Sequence, residues 1–416
     1  MDIVIPLKRN RERLFKELLN SFFNEEEAAE FRSLTEGNSF KSISPSLKIK
    51  GKDKRQIETK FPKESKLGLE TDRIILYAKE KLGSKKFIEL LLSLGKSALD
   101  EGEGELSLEI FERVINESKG KPEATEFLAE ANLFIADIYK KKTKWALSFR
   151  YLRKSKEIYK KAENVNGEAK CSNMLGTIYG ELGSLKRARS CFEKSLELIS
   201  RTNDNESEGM IKINLGIIYG ISGDYQKSRY YFTKALKHFE KGGDQKRLAE
   251  INNNLGMLDY DAERLKQALR EFDRSIDASI EINFLPLLGL SFLGKAITYL
   301  KLENLPMAAL FSDKALKVCN KVNDRLSVAD IYKVKGIIER ELGEYKKSEN
   351  LLKTSLMMNI ELGNKLNEAE TSVELGRLYD KLKDKKKSTE WFMKAIAYYK
   401  GQGSKKKIQE IKSLLT

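Results

Sequence analysis

The sequence predicts an all-α chain, a solenoid of paired antiparallel helices, on three observations. A glycine or alanine returns every 40 residues, at Ala136, Gly176, Gly216, Gly256, Ala296, Gly336 and Gly376. Bulky and small residues recur in phase with it. Only 6 prolines interrupt 416 residues of which 40% are hydrophobic, so long helices and an ample core are both permitted. A period in this range marks stacked units, each exposing an apolar face that the next one covers. No strand-like alternation competes.

At the N-terminus, Leu14, Phe15, Leu18, Leu19, Phe22 and Phe23 form an apolar stripe on a helix expected from about Leu7 to Leu34. Residues 1–35 are therefore read as an amphipathic helical segment. Its stripe would pack against the solenoid, or inside its groove, or dock on another protein or a membrane surface. Residues 36–68 mix Gly, Ser, Pro and Lys without periodicity, and between Lys41 and Lys66 nine basic residues face three acidic ones, a local charge of +6. That stretch reads as a flexible basic linker.

The solenoid is expected over residues 69–400. A half-unit, Leu69 to Leu82, ends at Gly83, and a degenerate copy follows in which Gly95, Gly102, Ser107, Phe111 and Val114 repeat the spacing of the regular units. Seven regular units come next, making about eight in all. Three residues after the marker stands Tyr139, Tyr179, Tyr219, Tyr299 or Tyr379, with Asp259 and Glu339 as departures. Twelve after it the residue is always small, from Ser148 and Ala188 to Ser388. Sixteen after it stands Leu152, Phe192, Phe232, Phe272, Leu352 or Phe392, with Ser312 the exception, and nineteen after it come small residues such as Ser195, Ala235, Ala315 and Ala395. Small residues let two helix backbones approach while the rings fill the space between them. Gly183, Gly223 and Gly343, seven after the marker, end the first helix; Asn203, Gly243, Asn283, Asn323, Gly363 and Gly403 end the second. All tolerate the left-handed conformation of a C-terminal cap. Asp204, Asp244 and Asp324 are placed to cap the helix that follows. Residues 401–416 form a capping helix, with Ile408, Ile411, Leu414 and Leu415 at helical spacing between Lys405 and Leu415.

The segments Leu175-Gly176-Thr177-Ile178-Tyr179, Leu215-Gly216-Ile217-Ile218-Tyr219 and Leu375-Gly376-Arg377-Leu378-Tyr379, each followed by a small residue and then a Phe, resemble the tetratricopeptide-repeat signature. The unit here is longer than usual, as in Pins-type polarity scaffolds and bacterial Rap-type regulators. The resemblance covers about residues 87 to 400 and implies a right-handed superhelical solenoid that binds other proteins. It also implies that first-helix residues six, three and two before the marker, and one and four after it, line the concave side. In the middle of the array these are Met210, Ile213, Asn214 and Ile217, then Asn253, Asn254, Met257 and Tyr260, then Leu290, Leu293, Ile297 and Leu300. An apolar trough with asparagines suits a partner helix or extended peptide, the amides holding the peptide backbone through their paired donor and acceptor. Lys170 and Lys333 also occupy groove positions but stand far apart in the sequence.

The residues argue against catalysis, cofactors and metals. There is one histidine, His238, no Cys-x-x-Cys and no Gly-rich phosphate loop. Cys171, Cys191 and Cys319 are odd in number and sit inside helices, which suits buried thiols in a reducing compartment. With no apolar stretch of membrane-spanning length and no secretory signal at the N-terminus, the cytoplasm is the expected location. The formal charge of +15 gathers at both ends, at Lys41–Lys66 and at Lys381–Lys412, where eleven Lys against Asp384, Glu390 and Glu410 give +8. These ends suit an acidic partner, and the alternative reading is binding of nucleic acid or an anionic surface through phosphate contacts. The apolar groove speaks against base recognition. Partner identity and oligomeric state are not encoded in any of these features.

Overall fold

The computed structural model describes residues 20–36, 66–202, 204–402 and 404–415, which divide into two compact units at Asp204 and Asn205. In the first unit the helices are α1 (Glu25–Glu36), α2 (Lys66–Lys81), α3 (Ser84–Asp100), α4 (Gly104–Ser118), α5 (Thr125–Lys141), α6 (Trp145–Lys161), α7 (Val165–Glu181) and α8 (Leu185–Ile199). In the second they are α9 (Asn205–Ile221), α10 (Tyr225–Gly242), α11 (Gln245–Asp261), α12 (Leu265–Glu281), α13 (Leu285–Lys301), α14 (Leu305–Lys321), α15 (Arg325–Glu341), α16 (Tyr345–Glu361), α17 (Lys365–Lys381), α18 (Lys385–Gly401) and α19 (Lys405–Lys412). There is no strand among the described residues. Within each unit, α3 to α8 in the first and α9 to α18 in the second, the helices pack as consecutive antiparallel pairs, the helical-solenoid arrangement expected from the repeat.

The marker is small because a ring lies on it. A Cβ added at Gly216 would stand 2.6 Å from the Phe232 ring, and those at Gly176, Gly256 and Gly376 would meet Phe192, Phe272 and Phe392 as closely. Gly95 faces Phe111 in the same way, so the degenerate copy is packed like the regular ones. The small positions also carry hydrogen bonds that spacing alone does not reveal. Twelve after the marker, the hydroxyls of Ser107, Ser148, Ser228 and Ser348 donate to the marker carbonyls of Gly95, Ala136, Gly216 and Gly336 at 2.7–2.8 Å. Nineteen after it, Ser155, Ser195 and Ser275 donate to the carbonyls of Ala129, Ala169 and Ala249 at 2.6–2.8 Å. A buried hydroxyl needs a partner, and here it pins the second helix to the first.

The turns hold their conformation whatever residue occupies them. Gly183, Gly223 and Gly343 have φ between 72° and 80°, and Thr143, Glu263, Glu303 and Lys383, at the same position, have φ of 54–61°. The local reason is the closing pattern: Asp224 N–H donates to Tyr219 C=O at 2.9 Å and Gly223 N–H to Gly220 C=O, satisfying carbonyls that the helix end leaves over. Gly243, Asn283, Asn323 and Gly363 do the same after the second helix, while Asn203 and Gly403 lie outside the described residues. Asp244 and Asp324 accept from the N–H groups of Arg247 and Ser327, at 3.0 and 3.1 Å. Asn164, Asp224, Asn304, Asn364 and Asp384 cap in the same way, so capping extends beyond the aspartates named from sequence, of which Asp244 and Asp324 are the two that accept such a bond here.

Two local readings change. Ser312 is no gap in the core: Phe311, one residue earlier, is buried and stacks on Tyr299 with ring centroids 5.5 Å apart. The N-terminal helix does not run on to Leu34 unbroken. Asn24 interrupts it as an N-cap, accepting from Glu27 N–H at 2.8 Å while its own N–H donates to the Glu27 carboxylate at 3.0 Å, a reciprocal capping box. Gly294 is small for a packing reason: a Cβ there would meet Phe272 of the preceding repeat at 2.4 Å. Phe23, Ala28 and Phe31 bury themselves against Tyr77 of α2, whose hydroxyl donates to the Glu30 carboxylate at 2.6 Å. Leu14, Phe15, Leu18 and Leu19, and all but the edges of the basic linker expected over residues 36–68, lie outside the described residues. Helix α19 closes the second unit by burying Ile411 with Phe392 and Tyr399, and Ile408, Leu414 and Leu415 pack against them.

Candidate functional site

The first helices of the second unit, α9, α11, α13, α15 and α17, carry the residues expected to face inward. Their side chains divide by burial. Ile213 is 5% exposed and belongs to the core with Phe232, Ile251 and Leu255, so it is a packing residue and not a groove residue. Met210 and Ile217 lean on that core half-buried, as Leu293 and Ile297 do on the next ones. Met257 and Leu290 stand 36% and 40% exposed, although their neighbours Leu258 and Gly289 are buried. Asn253 is engaged within the chain, its amide oxygen accepting from the Ser291 hydroxyl at 3.1 Å. Asn254 is half-exposed and makes no hydrogen bond among the described residues, which leaves its donor and acceptor for something else.

A concavity that several of these helices share lies further along. A cleft of about 410 Å³ has Ile337, Val373, Ile411 and Leu414 as its apolar lining, and its polar lining includes Tyr260, Tyr399, Lys333 and Arg377 with the carboxylates Glu370, Glu374 and Glu410. Tyr260 comes from α11 and Leu414 from the turn after α19, so first helices two and three repeats apart share one hollow with the end of the chain. Of the residues expected to make contact, only Tyr260 lines it. The first-helix residues among the others follow the same inward rule: Lys333 and Val373 stand three before their markers, Glu370 six before, Glu374 two before, Ile337 and Arg377 one after, while Tyr399 and the residues after it come from the last second helix, α19 and the turn that follows it. The sequence thus held the signal, but only the fold joins Lys333 to residues of the last repeat.

Charge in the cleft is held in place by pairing. Lys333 is 14% exposed on its side chain and its Nζ sits 2.7 Å from Glu370 and 3.2 Å from Asp330. Burial works against its charge, but the two carboxylates outweigh it and hold its pKa above the ordinary lysine value. Arg340, buried more deeply still, donates to Glu374 at 2.7 Å, and Glu374 reaches Arg377 at 3.6 Å. Burial pushes the Tyr260 phenol up, against the opposing effect of Lys301, whose ammonium lies 5.0 Å from its ring. An apolar floor with fixed charges of both signs at its rim suits a peptide, whose backbone and side chains present both donors and acceptors. No group of three or more His, Cys, Asp or Glu among the described residues is arranged to hold a metal ion. Lys170, in the first unit, is exposed. No helix among the described residues is long and apolar enough to cross a membrane.

The tetratricopeptide-repeat family is matched over residues 127–201, 172–241 and 207–281, and again over 369–401. No curated protein sequence matches the chain. Among solved structures it is similar to aspartyl phosphate phosphatase F from Bacillus subtilis, at 14% identity over 96% of each chain with a TM-score of 0.59. It is similar to a Rap protein complexed with competence and sporulation factor, at 12% identity over 98% of this chain and 100% of that one with a TM-score of 0.58. A third is the Rap conjugation gene regulator of the plasmid pLS20 in complex with the Phr* peptide, at 16% identity over 84% and 97% with a TM-score of 0.54. At such identities the likeness is one of fold. Tetratricopeptide repeats are thus present over residues 127–281 and 369–401, and the unbroken 40-residue period with its paired helices gives them the long form of the unit.

Proposed function

We propose that the chain is a protein-interaction scaffold or adaptor whose first helices in the second unit take a helix or extended peptide from another protein. The observation that carries the reading is the shared cleft, in which Tyr260 and residues through Leu414 surround one apolar floor. Met257 and Leu290 add exposed apolar area on the same set of helices, and Asn254 adds an amide without a partner. Neighbours of the same fold hold a factor and a peptide, which agrees with a binding role for such an array. Binding, and no catalytic step, accounts for the residues present.

The test is affinity capture from native lysate, with and without nuclease, comparing the unaltered chain with an Asn254→Ala/Tyr260→Ala variant of unchanged melting temperature. A protein retained by the first, insensitive to nuclease and lost from the second supports the groove. Retention of the same protein by both forms refutes it. Nucleic acid held equally by both and released by salt moves the function to the basic ends of the chain.

A further inference from the structure

A second surface stands out in the first unit, on the other helix of its pair. Helix α6 carries six basic residues, Arg150, Arg153, Lys154, Lys156, Lys160 and Lys161, against the single acid Glu157. Several cations on neighbouring helices of this unit are neutralised: Lys142 pairs with Glu105, Lys140 and Lys141 with Asp137, Arg113 with Asp72 and Glu109. Arg150, Arg153 and Lys156 make no ion pair or hydrogen bond among the described residues. They border a cleft of about 410 Å³ whose remaining lining is Ala146, Phe149, Leu152 and Leu175, with no carboxylate. The positive field reaches inward too, since Lys156 acts on the thiols of Cys171 and Cys191, favouring their ionised forms against burial.

We infer that this cleft is a docking site for an acidic amphipathic helix of a partner protein, one apolar side chain entering the cleft and carboxylates meeting the three cations. Spacing selects a helix. Arg150, Arg153 and Lys156 follow one another at three-residue steps, about 4.5 Å along the axis of α6, which is the step between carboxylates at i and i+3 on a helix laid beside it. Three unpaired cations around an apolar floor favour an anionic partner that also buries a hydrocarbon group. A nucleic acid is the weaker fit. Phe149 leans on Tyr179, with centroids 5.6 Å apart and planes tilted by 48°, and the rest of the floor, Ala146, Leu152 and Leu175, is aliphatic, so the cleft offers no run of rings for successive bases to stack on.

The experiment titrates fluorescent synthetic peptides into the full chain and reads anisotropy. The probe is a helical peptide with Leu and Phe on one face and Glu at i, i+3 and i+4 around them. Controls are the same peptide with Ser for Leu and Phe, the same peptide with Lys for Glu, and an oligothymidylate. The cleft predicts binding of the first peptide, weakening as salt rises, and about tenfold loss of affinity in Arg150→Glu/Arg153→Glu. Both arginines are exposed and unpaired, so that variant keeps its packing, and Arg150→Gln/Arg153→Gln repeats the test without reversing charge. Tyr260→Ala, in the concave cleft, leaves this binding unchanged. No binding of the acidic peptide overturns the proposal, as does equal binding by the charge-reversed variant, a loss in Tyr260→Ala instead, or oligothymidylate binding that the peptide does not displace.

Discussion

Gly216→Ala adds one methyl group at the crossing of α9 and α10, and the structure says where that methyl goes. Its carbon would lie 2.6, 2.7 and 3.0 Å from three atoms of the Phe232 ring, inside the distance that carbon atoms tolerate. Overpacking of this kind costs about 1–3 kcal/mol, while replacing a mid-helix glycine by alanine returns about 1 kcal/mol of helix propensity. The net expectation is a loss of about 1 kcal/mol. The chain itself supplies the control. Where the residue sixteen on is Phe, at Phe111, Phe192, Phe232, Phe272 and Phe392, the marker is always glycine; the two alanine markers, Ala136 and Ala296, face Leu152 and Ser312. In a Phe232→Leu background the added methyl should therefore be tolerated, and the cycle formed by the two single variants and the double variant should show a coupling of about 1–2 kcal/mol. Because stacked repeats need not unfold in one step, hydrogen exchange of the α9 and α10 amides should accompany urea denaturation. Equal effects of Gly216→Ala in the unaltered chain and in the Phe232→Leu background would refute the packing account of the marker.

The Tyr379 hydroxyl donates to Glu349 at 2.6 Å, and burial, then this bond, pushes its pKa up to about 12 from the ordinary 10. A raised phenol stabilises the fold fully below pH 10 and loses that contribution as pH rises through 12, so Tyr379→Phe should cost about 1 kcal/mol at neutral pH and progressively less toward pH 12. A difference that stays constant across that range contradicts the bond. Asp259→Ala removes a carboxylate with 0% exposure held by Arg229 and by Arg264 at 2.7 Å. The arginines themselves reach water, so the loss should be about 2 kcal/mol, below the roughly 3–5 of a wholly buried pair, and a melting temperature unchanged from wild type would count against it. Burial pushes the Cys171 and Cys319 thiols up to about 11, while Cys191 is only half-buried. A disulfide reagent at neutral pH should modify Cys191 first and reach the other two only on unfolding; equal rates for all three would show that the helix pairs open more readily than their packing implies.

Much of the fold was legible because the repeat averages over local noise. Seven copies in phase locate each crossing, turn and cap, and the structure adds the reason for each. What the spacing could not carry is contact at a shifted register or across repeats. Phe311 fills the place of Ser312 from one residue earlier, and Gly294 answers to Phe272, twenty-two residues before it. The break at Asn24 was legible in principle, since Asn followed three residues later by Glu is a capping-box pattern, but the apolar stripe on both sides masked it. For the candidate site, the inward positions were readable and their accessibility was not. Ile213 and Met257 obey rules of the same kind, yet one is core and the other exposed, because burial depends on how the neighbouring repeat packs. The cleft that joins Tyr260 to Leu414 depends on how successive helices fold back together, which no window of sequence contains.

One joint between repeats separates structural departures from available surface. At three joints the residue thirteen after a marker meets the residue three after the next marker, and that slot holds an aromatic pair at Phe149 and Tyr179, an ion pair at Arg229 and Asp259, and a carboxylate–phenol bond at Glu349 and Tyr379. Chemistry changes from joint to joint while complementarity is kept. Asp259 breaks the tyrosine column, and Arg229, thirty residues earlier, meets its carboxylate with an ion pair, so the departure is answered inside the chain. Met257 and Leu290 present apolar surface that no neighbour covers, and Arg150, Arg153 and Lys156 present charge that no carboxylate among the described residues meets. Folding gains nothing from leaving such groups unanswered, since exposed hydrocarbon and unpaired like charges are neutral at best for stability. A repeat protein supplies many copies of each position as its own reference, and against that reference the uncompensated side chains are the ones left free to meet a partner.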